Sequence, residues 1–165
     1  MTAIELTLNS VLPAQALRAR REARTFTLPS SYRHWGLIPC PLSGLEAPFA
    51  RGFIGEVYTY RHDQGIVLFR YLQGSSRTLR DCRVCLRECG FHVGQMQRQQ
   101  DTTAQWQSYA AWNRKNRLAV RSTIIAPESD QSWHCPATWL RQARLAPPRR
   151  SYLAITELTD MEREF

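Results

Sequence analysis

The sequence predicts an α+β protein built on a small antiparallel sheet with helices. The first observation is a pair of β-branched and aromatic runs, Gly52 to Tyr60 and Ile66 to Leu72, joined by the turn His62-Asp63-Gln64-Gly65. Two such runs on either side of an Asp/Gly turn are typical of a β-hairpin. The second observation is that segments rich in helix formers alternate with further strand-like runs along the chain. Together they favour mixed helix and sheet.

The length and composition predict one domain. At 165 residues the chain can bury a core, and a hydrophobic content of 43% is ordinary for a globular protein. No apolar run approaches the roughly 20 residues that cross a bilayer. The first residues lack the basic segment and cleavage pattern of a signal peptide, and five crowded cysteines argue against a secreted disulfide framework. We therefore expect a cytoplasmic protein with no membrane partner.

Three segments precede the hairpin. Residues Thr2 to Leu8 alternate between apolar and polar side chains, which indicates a strand. Pro13 fits the first position of a helix over Ala14 to Arg24. The segment from Phe26 to Pro48 is rich in proline, glycine and serine and is predicted to be a loop.

Four elements are predicted after the hairpin. The polar, glutamine-rich segment from Gln95 to Asn116 is predicted to be helical. Leu118 to Ala126 is typical of a strand that Pro127 ends. A short helix is expected within Gln131 to Arg144, and a final strand is expected from Ser151 to Leu158.

The densest group of chemically special residues is the stretch from Cys82 to His92, which holds three cysteines and a histidine. Cys82 and Cys85 have the spacing with which a knuckle turn points two thiolates at one Zn²⁺. Cys89 follows four residues later and shares a face with Cys85 if the chain is helical there. A tetrahedral site needs a fourth ligand, for which the sequence offers Cys40, His92, His134 and Cys135.

We favour Cys40, because Ile38-Pro39-Cys40-Pro41-Leu42-Ser43-Gly44 is typical of a tight loop. The predicted zinc ligands are therefore Cys40, Cys82, Cys85 and Cys89, in a zinc-finger-like lobe formed by about residues 36–95 of the single domain 1–165. Ser43 stands where a second cysteine of the first half-site would be expected. Two alternatives stay open: reduced thiols buried in the core, or a redox pair.

The charge of the chain predicts a polyanionic partner. The formal net charge is +8, and Lys115 is the only lysine among 22 basic residues. Arginine suits bidentate phosphate contacts and stacking on bases. The positive excess is concentrated between Arg61 and Arg121, around the predicted metal lobe.

Catalytic signatures are missing from the sequence. We find no Walker A loop, GxGxxG, HExxH or GxSxG, and His134-Cys135-Pro136 lacks the second cysteine of a zinc deaminase. We therefore expect a protein that is not an enzyme.

The order of these motifs resembles the Cas8-like large subunit of type IV CRISPR effector complexes. The resemblance rests on three segments: Cys40-Pro41-Leu42-Ser43-Gly44; Ser75-Ser76-Arg77 leading to Cys82-Arg83-Val84-Cys85; and Ala126-Pro127, Leu145-Ala146-Pro147-Pro148 and Tyr152-Leu153-Ala154-Ile155-Thr156. It covers about residues 35–158, in which the family has a zinc finger before a region of helices and strands.

The resemblance implies a non-catalytic nucleic-acid-binding subunit, present in one copy of a hetero-oligomer. Such a subunit contacts guide RNA, other effector subunits, and target DNA near the protospacer-adjacent motif. The implied phosphate or base contacts are Arg77, Arg80, Arg83, Arg87, Arg114, Lys115, Arg117 and Arg121. Trp106 and Trp112 would stack on bases, or else pack in the core. Two other functions stay open: a stand-alone basic zinc-finger regulator of a mobile element, and a protein-binding inhibitor of a nucleic-acid complex.

Overall fold

The computed structural model describes residues 31–33, 35–42 and 44–161. This part of the chain forms eleven strands and three helices: β1 (Ser31–Tyr32), β2 (Trp35–Gly36), β3 (Ile38–Cys40), α1 (Ala47–Ala50), β4 (Glu56–His62), β5 (Gly65–Gln73), α2 (Cys82–Glu88), β6 (His92–Val93), β7 (Gln97–Gln100), β8 (Gln105–Trp112), β9 (Arg117–Ile125), β10 (Ser132–Trp133), α3 (Pro136–Ala143) and β11 (Ser151–Asp160). The strand expected over 2–8 and the helix expected over 14–24 lie outside the described residues.

Nine of these strands form one antiparallel sheet, which confirms the predicted α+β class. The strand order is β3-β4-β5-β11-β9-β8-β6. The strand β7 also pairs with β8, next to β6 on the same edge, and β10 pairs with β9. The last strand, β11, lies in the middle of the sheet, between β5 and β9. The C-terminal part of the described chain therefore joins the two halves of the sheet. In the described part, no helix has the length and apolar character needed to cross a membrane.

The predicted hairpin is confirmed as β4 and β5. Its closing pair is His62 and Gly65, so the loop consists of two residues. Gly65 is needed there, because a Cβ atom at this position would lie 2.0 Å from the carbonyl oxygen of Leu158 on β11. The hairpin can therefore pack beside the central strand only with glycine at this turn.

The sheet buries both of its faces. On one face Leu68, Val120 and Leu158 pack with Cys85 and Leu86 of α2 in one hydrophobic cluster. Towards the other end of this face, α3 buries Trp139 against Tyr152. The opposite face carries a cluster that includes Val67, Phe69, Leu153 and Ile155, and Tyr32 of the β1–β2 hairpin packs on it. This alternation is what a strand with period two produces when both faces are covered.

The helix α2 has capping signals at both ends. Asp81 is the N-cap, and its side chain accepts a hydrogen bond from the backbone N–H of Arg83 at 2.9 Å. At the other end Gly90 adopts a φ of 86°, and the N–H of Phe91 donates to the carbonyl of Leu86 at 3.1 Å. This is a Schellman ending, in which glycine supplies the left-handed residue and Phe91 returns the chain to the core.

The helix predicted over Gln95 to Asn116 is wrong, since this segment forms β7, β8 and the turns around them. Trp106 is buried on one face of β8, while Tyr109 and Ala111 are buried on the other, so the apolar positions follow a strand. Pairing with β9 on one side and with β6 and β7 on the other stabilises this conformation. Tertiary pairing of this kind outweighs the weak local preference of glutamine.

The prediction of a loop over Phe26 to Pro48 is also wrong in part, because the described part of this segment contains β1, β2, β3 and the start of α1. Residues 36–95 do not stand apart as a zinc-finger-like lobe. They supply β3, β4 and β5 to the same sheet as β11, and α2 packs on that sheet. Pro39 is tolerated because β3 is an edge strand.

Candidate nucleic-acid interface

The sulfur of Cys82 takes part in a hydrogen-bond network inside the core. Its Sγ lies 3.1 Å from Oγ1 of Thr156, and Nη2 of Arg70 donates to it at 3.4 Å. Arg70 is only 2% exposed and also donates to the carbonyl of Arg80. Cys82 thus joins α2 to strands β5 and β11 through protein partners.

The other proposed zinc ligands have different surroundings. Cys85 is fully buried in the hydrophobic cluster under α2. Cys89 donates to the carbonyl of Leu45 at 3.2 Å, and Cys40 lies on the edge strand β3 opposite Thr59. Burial raises the pKa of Cys85 to about 11 and also raises the pKa values of Cys40 and Cys89. Their thiols are therefore protonated at neutral pH.

The described part of the chain gives no support for a zinc site at these four cysteines. Within the described part of the chain, no group of three or more histidine, cysteine, aspartate or glutamate side chains is placed to hold a metal ion. The helix sends Cys82 and Cys85 towards the sheet, because residues three apart share a helix face. Zinc stays a prediction from cysteine spacing, without support from the geometry of these four residues.

Three of the arginines predicted to contact nucleic acid are held by acidic side chains. Arg80 pairs with Glu88 at 2.6 Å, and Arg83 pairs with Asp81 at 3.0 Å. Arg121 donates to Asp101 at 3.1 Å and lies over the ring of Trp106. Trp106 is completely buried, so it packs in the core and offers no surface to a base. These contacts give all four side chains a structural role.

The remaining predicted residues are distributed unevenly. Arg77 is exposed in the segment after β5, and Arg87 is exposed on α2. Arg114, Lys115 and Arg117 lie together in and beside the turn between β8 and β9. The structure therefore brings three of the eight basic residues into one place.

Trp112 ends β8 beside that turn and is 40% exposed. It is the direct cross-strand partner of His92 on one side and of Arg117 on the other, so the three side chains lie in a row on one face of the sheet. The rings of His92 and Trp112 are stacked, with centroids 6.0 Å apart and planes inclined by 29°. We call His92, Trp112, Arg114, Lys115 and Arg117 the Trp112 surface.

Two local features fix the Trp112 surface. Oδ1 of Asn113 accepts hydrogen bonds from the backbone N–H groups of Lys115 and Asn116 at 2.9 and 2.7 Å, which closes the turn as an Asx motif. Gly94 lies close to the six-membered ring of the indole, since a Cβ atom there would come within 3.2 Å of Cζ3 of Trp112. The ring and the turn are thus both positioned by the backbone around them.

The Trp112 surface combines a partly exposed aromatic ring with cationic side chains. Within the described residues, Arg114 and Arg117 form no ion pair with an acidic group. An aromatic side chain can stack on any unpaired base, and neighbouring arginines can contact the phosphates that flank it. The surface therefore has the chemistry of a single-stranded nucleic-acid contact.

The sequence indicates His92 only as a possible metal ligand and gives no sign of its position beside Trp112. The two residues are 20 positions apart, and the helix predicted over Gln95 to Asn116 hid their pairing. A strand assignment for Gln105 to Trp112 would have placed Trp112 at the end of a hairpin next to the basic turn.

No protein-family model matches the chain, and the comparisons with curated proteins and with solved structures find no match either.

Proposed function

We propose that the protein binds single-stranded nucleic acid through the Trp112 surface and has no catalytic role of its own. The observation that carries this proposal is the exposed Trp112 ring, stacked on His92 and placed in register with Arg117. The support lies in the combination of this ring with Arg114 and Arg117, which form no ion pair within the described residues, since an aromatic ring flanked by cations suits a base and its phosphates.

The geometry favours a single strand over a duplex. A base can stack on an aromatic ring only when it has left its own stack, as in loops, ends and single strands. The phosphates on either side of that base then meet the basic turn. The overall charge of +8 attracts such a strand from a distance and makes its binding dependent on salt.

The resemblance to a type IV CRISPR subunit gives a narrower form of the same proposal. In that form the strand is guide RNA or displaced target DNA, and the protein acts beside other subunits in a ribonucleoprotein complex. The Trp112 surface supports binding of a single strand in general, and this general proposal does not depend on a role in an effector complex. Purification of the chain from its native cell separates them, since a bound RNA of defined length together with several proteins is expected only for an effector subunit.

The general proposal is tested by titrating the protein into fluorescein-labelled oligouridylate and oligothymidylate of about 12 nucleotides, within the usual site sizes of single-strand binders. Fluorescence anisotropy gives the affinity. Trp112→Ala is expected to weaken binding by about 1–3 kcal/mol, the usual contribution of one stacked base. Trp112→Phe keeps an aromatic face and is expected to retain most of the affinity.

A matched duplex is expected to bind more weakly than either single strand at the same salt concentration. Circular dichroism of each variant shows whether the sheet is intact. Equal affinities of the wild type, Trp112→Ala and Trp112→Phe for both oligonucleotides would refute the proposal.

A further inference from the structure

A second site lies at the opposite end of β8. Here the segment between β7 and β8, the segment before β10 and one side of α3 border an open cleft of about 740 Å³. This volume lies in the usual range for pockets that take small ligands. Gln105 lines the cleft, whereas Trp112 ends the same strand about 23 Å away at the usual rise per residue. The cleft is thus separate from the Trp112 surface.

Two amide side chains in the cleft have a fixed orientation. Oε1 of Gln142 accepts a hydrogen bond from the indole N–H of Trp133 at 2.8 Å. Oε1 of Gln131 accepts from the guanidinium of Arg150. Because each oxygen has a donor from the protein, each amide is left with its NH₂ group for a ligand.

A hydroxyl group adds to this pattern. Oγ of Ser132, which lines the cleft between these residues, accepts from the backbone N–H of Gln105 at 2.9 Å. Its own hydrogen is therefore available to donate. The lining of the cleft is thus biased towards hydrogen-bond donors, so it suits a ligand rich in acceptor oxygens.

Arg98 and His134 make the cleft suitable for an anion. Arg98 is exposed on β7, lines the cleft, and forms no ion pair with any acidic group among the described residues. His134 also lines it, is only 8% exposed, and has no hydrogen-bond partner within the described part of the chain. Burial, followed by the charges of Arg98 and Arg83, lowers the pKa of His134, so its ring is neutral at neutral pH and can still donate one N–H.

One side of α3 completes the lining of the cleft. Thr138 and Gln142 lie four residues apart on one face of this helix and both line the cleft, whereas Pro136 and Ala137 at its start do not. Oγ1 of Thr138 donates to the carbonyl of Cys135 at 3.0 Å, so of these two side chains Gln142 supplies the free donor.

Two carboxylates, Asp101 and Asp130, also line the cleft. Asp101 accepts from the N–H groups of Thr103 and Ala104 and from the guanidinium of Arg121, whose positive charge offsets its own. Asp130 and Arg98 are both exposed, so solvent screens the repulsion of the one and the attraction of the other, and the selectivity for a phosphate rests on the hydrogen-bond donors of the lining.

We propose that this cleft binds a phosphate ester about the size of a mononucleotide, through Arg98, His134, Gln131 and Gln142. The proposal goes beyond the nucleic-acid contact at Trp112 and does not depend on it. The phosphate comes either from a free nucleotide or from an internal phosphate of a bound strand, and both sources present the same acceptor oxygens.

Isothermal titration calorimetry with adenosine 5′-monophosphate, inorganic phosphate and adenosine tests the proposal. We expect the monophosphate to bind and adenosine, which lacks the phosphate, to bind at least about tenfold more weakly. The decisive variants are Gln142→Glu and Gln131→Glu. Each keeps the oxygen that Trp133 or Arg150 needs but replaces the NH₂ donor by a second acceptor, so monophosphate affinity is expected to fall at least about tenfold.

Arg98→Gln is expected to weaken binding in the same way, while Arg141→Gln, on α3 outside the cleft, is the charge-matched control and leaves affinity unchanged. Thermal unfolding of each variant shows that the fold is retained. If the free monophosphate does not bind but an oligonucleotide loses affinity in Gln142→Glu and Arg98→Gln, the phosphate belongs to the strand and the site stands. The proposal would be overturned if the monophosphate does not bind and the oligonucleotide also keeps its affinity in Gln142→Glu and Arg98→Gln. Unchanged monophosphate binding in Gln142→Glu and Gln131→Glu would overturn it as well.

Discussion

Sγ of Cys82 lies 3.1 Å from Oγ1 of Thr156, in the centre of the molecule between α2 and β11. This contact joins the helix that carries three cysteines to the middle strand of the sheet. It gives the cysteine stretch a role in packing, because the sulfur already has Thr156 and Arg70 as partners. Stability measurements can therefore separate a core thiol from a metal ligand.

Cys82→Ala is expected to lower the free energy of unfolding by about 1–3 kcal/mol, since it leaves Arg70 and Thr156 with one partner fewer in the core. Cys40→Ser, on the edge strand β3, is expected to have a smaller effect. Chemical denaturation measures both. Treatment with a chelator is expected to leave the wild-type unfolding midpoint unchanged.

Metal analysis can contradict the packing role of Cys82. If the purified protein contains one equivalent of zinc that is lost in both Cys82→Ser and Cys40→Ser, the zinc ligands predicted from the sequence are right and the packing role of Cys82 is wrong.

Glu157 is the shared anion of a buried cluster on the other face of the sheet. It is 4% exposed, accepts from the hydroxyl of Tyr32 at 2.9 Å, and pairs with Arg33 at 2.5 Å and with Arg121 at 3.8 Å. Glu157→Gln removes the charge that both arginines face. We expect a loss of about 3 kcal/mol, at the low end for a broken buried pair because the two guanidinium groups remain partly exposed.

The matched control for this substitution is Glu88→Gln. Glu88 pairs with Arg80 and Arg51 at the surface, where ion pairs contribute little. Urea denaturation of the two variants should show a clearly smaller loss for Glu88→Gln. Equal losses would show that the cluster around Glu157 does not behave as a buried one.

Asp81 gives the stability a dependence on acid pH. Burial acts to raise the pKa of Asp81. Hydrogen bonds from the side chain and backbone of Arg83, together with its charge, lower the pKa by more than burial raises it, so the folded pKa lies below the usual value. A lowered folded pKa stabilises the fold above the unfolded pKa near about 4, and this contribution is lost as the pH falls through the folded value. Asp81→Asn keeps a capping oxygen but cannot titrate, so its stability is expected to fall less steeply in acid.

Asp81→Ala serves as the comparison, because it removes the cap of α2 as well as the charge. It is expected to be about 1 kcal/mol less stable than Asp81→Asn throughout the neutral range. The pH series of unfolding free energies checks both statements. An Asp81→Asn protein with the acid slope of the wild type would show that Asp81 is not the group responsible.

The basic turn of the Trp112 surface should appear in the salt dependence of binding. Each phosphate contact on a single strand contributes about 0.7 to the slope of log affinity against log salt. Arg114→Gln and Arg117→Gln are therefore each expected to reduce the slope by about that amount. Arg77→Gln, in the segment after β5 at the far end of the sheet, is expected to leave the slope unchanged.

The strands of the fold could be predicted where apolar alternation and turn residues agree. The hairpin β4–β5, the strand β9, the helix α3 and the strand β11 all follow the predicted segments closely. The segment of β7 and β8 could not be predicted in this way, because glutamine has no strong preference and the decisive partners, His92 and Arg117, lie on separate strands.

The candidate site was predictable only in part. The charge of the chain indicates a polyanion, and the family resemblance implies Arg114, Lys115 and Arg117 among its contacts. Sequence spacing could not show that Arg80 and Arg83 are held by Glu88 and Asp81, since ion pairing depends on how α2 is oriented. Sequence spacing also could not show that Trp112 is exposed and Trp106 is buried, because this difference depends on where each residue lies along β8.

The most direct test of the central claim is the indole region of the ¹H–¹⁵N spectrum during titration with a single-stranded oligonucleotide. The protein has five tryptophans, and the Trp112 signal is identified by its loss in Trp112→Phe. We predict that the Trp112 indole signal shifts or broadens first, while that of Trp139, which is fully buried between α3 and the sheet, stays in place. Saturation of the protein with the oligonucleotide while the Trp112 signal remains unchanged would contradict the account.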